Sequence, residues 1–174
     1  MAAFHRPAVN WLAVTIHRPS NVDEPETLAR LVEVIDAIQA RLPLVFPVHP
    51  RTWAALEQRG LAARLRQMPA VRVTEPLGYL DFLALERGAR LVLTDSGGIQ
   101  EETTYLGVPC LTVRPNTERP ITVTMGTNIL VGEDKDRLSG ELKNVLAGRA
   151  KKGVVPPLWD GHAGERIADI LQHA

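Results

Sequence analysis

The stretch Leu91-Val92-Leu93-Thr94-Asp95-Ser96-Gly97-Gly98-Ile99-Gln100-Glu101-Glu102 joins an unbroken apolar run to a helical segment through two glycines. An apolar run that does not alternate with polar residues suits a strand covered on both faces, as in a parallel sheet. This reading places a strand over Arg90 to Thr94 and a helix over Gly98 to Leu106. Towards the N-terminus, a strand over Trp11 to Ile16 is followed by a loop from His17 to Asp23. A helix then starts at Pro25, with Leu28, Leu31, Val32, Ile35 and Ile38 at helical spacing. Asp23 is the expected N-cap, and the helix should stop near Pro43. In the next strand, Leu44 to Val48, Pro47 implies an edge position or the strand's last residue. A loop at His49-Pro50-Arg51, a helical stretch from Trp53 to Met68, a strand over Val71 to Thr74 and a helix over Tyr79 to Arg87 complete this side.

Towards the C-terminus come a strand over Cys110 to Val113, a short helix over Pro120 to Met125, a strand over Asn128 to Val131 and a helix over Lys135 to Ala147. A proline-containing loop from Lys151 to Gly161 leads to a terminal helix over Glu165 to Gln172. Strands that alternate with helices at this spacing predict an α/β fold, a Rossmann-like parallel sheet with helices on both faces. The domain runs over residues 11–174, behind an N-terminal extension at 1–10.

The 174 residues carry 20 Lys plus Arg against 20 Asp plus Glu, so the basic excess that nucleic acid or an anionic membrane surface would favour is lacking. Cys110 is the one cysteine, which rules out an internal disulfide and a thiolate metal cluster. It reads as a small core residue in a reducing, cytoplasmic compartment. No apolar stretch approaches the roughly 20 residues needed to cross a bilayer. The histidines lack metal-ligand spacing, and no metal or cofactor is expected.

In sheets of this kind, ligands bind beyond the carboxyl ends of the strands, where the loops converge. The N–H groups at Ser96-Gly97-Gly98, with the positive end of the helix dipole, form an anion site suited to phosphates. The glycines let a ligand approach the backbone closely, and Ser96 can add a hydroxyl donor. The competing reading is that Asp95 or Ser96 merely caps a helix. Glu102, about one turn further along, is suited to accept both hydroxyls of a ribose. His17 and Arg18 follow a strand directly and can face a diphosphate, and His49 with Arg51 repeats the arrangement at the next strand end. Taken singly, each of these residues reads equally well as part of a solvated loop. His5, His162 and His173 lie in terminal segments and suggest no chemistry.

Together, His17-Arg18-Pro19-Ser20-Asn21, Pro47-Val48-His49-Pro50-Arg51-Thr52, Thr94 to Glu102, Thr117-Glu118-Arg119-Pro120, Gly126-Thr127-Asn128 and Pro156-Pro157-Leu158-Trp159-Asp160-Gly161 resemble the motifs of non-hydrolysing UDP-N-acetylglucosamine 2-epimerases, in the order that family shows. The likeness covers nearly all of the chain after about Trp11. It implies the C-terminal domain of a glycosyltransferase-B arrangement, in which two Rossmann-like domains face each other across a cleft. It also implies phosphate binding by Ser96, Gly97 and Gly98, ribose binding by Glu102, and phosphate or sugar contacts from His17 and Arg119. Phe82 matches the position whose ring packs on the uracil, whereas Tyr79 reads as helix core. His49 matches a histidine near the interdomain cleft that is also linked to an effector UDP-sugar.

In that family, UDP is eliminated to leave a glycal and added back with C2 inverted. The carboxylates assigned to the C2 proton belong to the N-terminal domain. The resemblance therefore implies one half of an epimerase, from a truncated gene, an excised domain or a two-chain enzyme, with His17 and Arg119 in supporting catalytic roles and no activity alone. The partners implied are UDP or UDP-N-acetylglucosamine, a complementary N-terminal domain and a second copy in a homodimer, with no nucleic acid and no membrane. Two rivals stand beside this reading: a stand-alone UDP-sugar-binding or regulatory module, and a fragment of a glycosyltransferase. The His-Arg-Pro-Ser-Asn and Thr-Glu-Arg-Pro segments argue against the second. A dinucleotide oxidoreductase is disfavoured because no G-x-G-x-x-G follows the first strand.

Overall fold

The computed structural model of the chain describes residues 11–173, so the expected extension at 1–10 and His5 lie outside the described residues. The elements in chain order are β1 (Leu12–Thr15), α1 (Pro19–Val22), α2 (Pro25–Gln39), β2 (Leu44–Pro47), α3 (Pro50–Gln58), α4 (Leu61–Gln67), β3 (Val71–Thr74), α5 (Tyr79–Gly88), β4 (Leu91–Thr94), α6 (Gly97–Leu106), β5 (Cys110–Thr112), α7 (Pro120–Thr124), β6 (Asn128–Leu130), α8 (Lys135–Leu146) and α9 (Ala163–Gln172). The six strands form one parallel sheet in the order β3-β2-β1-β4-β5-β6. This is the doubly wound Rossmann order, in which the chain works outward from β1 in one direction and from β4 in the other.

The period-two geometry of a strand divides the core between the two faces. From β1, Leu12 and Val14 join Phe46, Leu93 and the buried faces of α2, α3, α4 and α8, whereas Ala13 joins Val92, Ala89 and Val108 beneath α5 and α6. The predicted apolar face of α2 is buried in full at Leu28, Leu31, Val32, Ile35 and Ile38. Cys110 is a buried free thiol, and burial pushes its pKa up to about 12, which makes it a core residue without nucleophilic character.

Several local expectations are corrected. Asp23 does not cap α2, whose N-cap is Glu24 without a side-chain bond; Asp23 pairs instead with Arg51. The loop after β1 contains the helical turn α1, with Pro19 at its first position, where a proline suits a helix start. The expected loop at His49-Pro50-Arg51 is likewise a helix start: His49 caps α3 and Pro50 opens it. The stretch from Trp53 to Met68 is two helices rather than one, because Gly60 takes a left-handed conformation at φ 68° between them. Pro47 is indeed the last residue of β2, which lies inside the sheet rather than at its edge. Tyr79 is not core, since 66% of it is exposed.

The segment after α8 is tied back onto α7 and β6. Lys151 Nζ donates to the carbonyls of Val123 and Asn128, and Val154 N donates to Met125 O at 2.9 Å. Gly153 lies so close that an added Cβ would sit 2.5 Å from the carbonyl carbon of Gly126, a contact only glycine permits. The α9 helix then extends beyond this anchor with Ile167, Ile170 and Leu171 exposed.

Candidate functional site

The strand order changes direction between β1 and β4, and their C-terminal ends open into a crevice of the kind that binds ligands in doubly wound sheets. His17 and Arg18 stand just beyond β1, Asp95 and Ser96 just beyond β4, and His49 just beyond β2. Asp95 holds the first two groups together. Its buried carboxylate accepts from His17 N at 3.0 and 3.1 Å, from Arg18 N at 2.8 Å and from Asn21 Nδ2 at 2.9 Å. Its Oδ1 also lies 3.3 Å from His17 Nδ1. Asp95 is thus neither a cap nor a ligand group but the clamp that ties the β1 loop to β4.

The α6 helix begins with Ser96 as N-cap, yet the Ser96 side chain makes no capping bond. Ser96 N donates to Thr94 Oγ1 at 3.0 Å. The N–H groups of the next residues, Gly97 and Gly98, have no acceptor within the helix, as at any helix start. Both glycines have room for a side chain. A Cβ on Gly97 would come no nearer than 3.9 Å to Arg119 and Glu118, one on Gly98 no nearer than 4.0 Å to Ser96 Oγ, and neither has a positive φ. The protein's own packing therefore gives no reason for glycine at either position; a ligand brought close to this backbone does.

Cationic groups surround that helix start. Arg119 lies over Gly97 and pairs with Glu101 at 3.2 Å. Glu118 accepts from Arg18 at 3.0 Å and pairs with Arg114 at 2.7 Å. Its own backbone N–H and the Arg114 guanidinium hold its pKa down at about 2. A buried polar network positions this loop. Gln100 Oε1 accepts from Thr117 Oγ1 at 2.6 Å and from Asn128 Nδ2 at 3.0 Å, while Thr117 Oγ1 accepts from Arg119 N at 3.0 Å.

The rings of His17 and His49 lie 5.4 Å apart between centroids. His49 Nδ1 accepts from Arg51 N, which leaves Nε2 to carry the proton of the neutral ring. Arg51, in contrast, turns away to Asp23, so the expected repetition of a His–Arg pair is only half realised. Glu102 lies four residues after Gly98 and therefore on the same face of α6. Phe82 is half-buried on α5, the helix packed beside α6. One residue of this region carries no sequence signal: Glu86 of α5 is fully buried, and no donor reaches either of its oxygens.

A doubly wound parallel sheet with a glycine-marked helix N-terminus at its switch point defines a Rossmann-type α/β domain. The chain belongs to the UDP-N-acetylglucosamine 2-epimerase family, whose profile matches residues 3–172. The UDP-N-acetylglucosamine 2-epimerase of Methanocaldococcus jannaschii is 42% identical over 166 residues, which are 94% of this chain and 45% of that relative. A crystal structure of the UDP-GlcNAc 2-epimerase of that organism, in complex with UDP-GlcNAc and UDP, matches with a TM-score of 0.85 at 42% identity over 94% of this chain and 45% of that one. The UDP-2,3-diacetamido-2,3-dideoxy-D-glucuronate 2-epimerase of Pseudomonas aeruginosa is 38% identical over 162 residues, 92% of this chain and 44% of the relative. The heptosyltransferase WaaC of E. coli with ADP shares the glycosyltransferase-B fold at a TM-score of 0.55 and 18% identity, over 84% of this chain and 47% of that one. The chain thus spans a little under half the length of these relatives. Among the described residues, no helix is long and apolar enough to cross a membrane.

Proposed function

We propose that this chain is the nucleotide-binding half of a UDP-N-acetylglucosamine 2-epimerase, acting with a complementary N-terminal domain. The diphosphate sits on the N–H groups of Gly97 and Gly98 and the Ser96 hydroxyl, with Arg119, Arg18 and His17 around it. Glu102 accepts from the ribose hydroxyls, Phe82 packs on the uracil, and His49 borders the sugar side of the cleft. The observation that carries this reading is the pair of glycines that nothing within the protein requires, at the positive end of a helix flanked by Arg119.

The reaction cleaves the bond between C1 of the sugar and the UDP oxygen, removes the C2 proton and adds UDP back with C2 inverted. This half serves the leaving group: amides and a guanidinium preset around the diphosphate stabilise the charge that develops on departing UDP. Moving the C2 proton needs a general acid and base, which the family resemblance assigns to the other domain. Arg18 and Arg119 are paired with Glu118 and Glu101, so UDP binds by replacing these carboxylate partners with phosphate oxygens.

Two further observations favour this assignment. The Pseudomonas relative named for a glucuronate sugar resembles this chain almost as closely as the N-acetylglucosamine enzyme does, as expected if this half reads the common UDP portion. In addition, α9 exposes Ile167, Ile170 and Leu171 at 57%, 67% and 74%, an apolar face suited to docking of the complementary domain.

Glu102→Ala is expected to weaken UDP while leaving pyrophosphate unchanged. The lost charge-assisted hydrogen bonds are worth about 1.5–3 kcal/mol, which corresponds to roughly 10- to 150-fold in affinity. Calorimetric titration of both ligands into both proteins measures this. Equal weakening of UDP and pyrophosphate would remove the ribose role from Glu102.

A further inference from the structure

The contact between α5 and α6 brings two acidic side chains together. Glu86 of α5 is fully buried, neither of its oxygens receives a donor among the described residues, and the charge that acts on it is that of Glu102 on the neighbouring helix α6. Two ionised carboxylates so placed would repel each other, and burial leaves the Glu86 charge without solvent. The arrangement is stable when one of them is neutral and donates its proton to the other. Glu86 is the buried member and Glu102 is half-exposed towards the cleft, so the proton belongs on Glu86.

We infer that Glu86 is a positioning residue for nucleotide binding: as a neutral acid it donates its O–H to Glu102 and keeps that side chain aimed at the ribose. The inference rests on the assignment of Glu102 to the ribose. Burial and the Glu102 charge push the Glu86 pKa up to about 9, in keeping with a neutral side chain at pH 7. The Glu86 charge in turn acts on the buried thiol of Cys110 in β5, which is neutral over the same range. Phe82 and Glu86 are one helical turn apart, so they share a face of α5. A single rigid helix therefore sets both the uracil platform and the support beneath the ribose contact.

The bond limits Glu102 to the rotamers that keep it against α5 and occupies part of its acceptor capacity from below. The remaining lone pairs are left for two neighbouring hydroxyls, which suits a ribose diol and gives no advantage to a ligand without one. Ribonucleotides over deoxyribonucleotides is the discrimination that follows.

The test compares UDP and pyrophosphate binding at pH 7.5 for the wild-type chain, Glu102→Ala, Glu86→Leu and Glu86→Gln, with 13C NMR of glutamate side-chain carboxyls in the wild-type protein. Leucine cannot donate, and Glu86→Leu is expected to weaken UDP about tenfold with pyrophosphate unchanged. Glutamine keeps an N–H donor and restores UDP affinity to within about twofold. One glutamate carboxyl is expected to titrate near pH 9, and its signal vanishes in Glu86→Gln. If Glu102→Ala is selective for UDP but Glu86→Leu binds UDP as the wild type does, the positioning role is overturned and the ribose role stands. Glu86→Gln as weak as Glu86→Leu, or all glutamates titrating below about pH 6, also overturns it. A Glu102→Ala variant without selectivity removes the ribose assignment and this inference with it.

Discussion

Asp95→Ala is expected to destabilise the fold by about 3–5 kcal/mol, because it takes the acceptor from the part-buried backbone N–H groups of His17 and Arg18 at roughly 1–3 kcal/mol each. Among the described residues, the carboxylate is the acceptor for the backbone N–H groups of His17 and Arg18, and it also takes the amide of Asn21. It is fully buried, so water does not replace it without a rearrangement of the β1 loop. The lowered midpoint in thermal unfolding should be roughly 6–20 °C for a domain of this size. Asp95→Asn is expected to cost far less. A carbonyl oxygen at the Oδ2 position retains the bonds from His17, Arg18 and Asn21 and gives up those made to Oδ1. A loss below 1 kcal/mol for Asp95→Ala would show that the loop does not depend on this clamp.

The chain by itself is expected to show no exchange of the C2 proton of UDP-N-acetylglucosamine with deuterated water. The groups gathered at the crevice are amides, guanidiniums and imidazoles arranged around the start of α6, and the nearby carboxylates Glu101 and Glu118 are committed to Arg119, Arg18 and Arg114. Positioned acid–base assistance contributes about 10²–10⁴-fold, and closure of a second domain excludes water in addition. Without these, stabilising the leaving group does not produce turnover. Proton NMR over many hours with the purified chain reads the C2 signal directly. A matching N-terminal domain added in trans should restore some exchange as the two halves dock. Loss of the C2 signal with the chain alone, abolished by mutating Ser96 or Arg119, would reveal a complete active site within this half.

Much of the fold was legible because its signals are local. Unbroken apolar runs marked the strands and the 3.6-residue spacing of Leu28, Leu31, Val32, Ile35 and Ile38 marked α2, with every strand found at its expected place. Helix starts were less legible, since Pro19 and Pro50 punctuate a sequence equally well as loop residues or as first residues of helices. Of the site, the strand-end positions of His17, His49 and Ser96 follow from element order alone. What the sequence conceals is partnership across distance. Asp95 clamps residues 74 to 78 positions away, and Asp23 takes Arg51 out of the crevice. Glu86, in a helix with exposed Asp81 and Arg87, looks like another solvated charge until the packing of α5 on α6 buries it. Tyr79 erred in the opposite sense: a large apolar side chain at the first turn of a helix suggests core, but α5 begins outside the packed interface.

Titration of the 15N-labelled chain with UDP, followed by amide NMR, tests directly whether a nucleotide diphosphate seats at the start of α6. Saturable shifts are predicted at Ser96, Gly97 and Gly98, with an affinity in the micromolar to millimolar range, about −8 to −4 kcal/mol, as befits half of a cleft. Shifts of Phe82 and Glu102 should follow with UDP and stay small with pyrophosphate. Unmoved amides at Ser96, Gly97 and Gly98 in millimolar UDP would contradict the assignment.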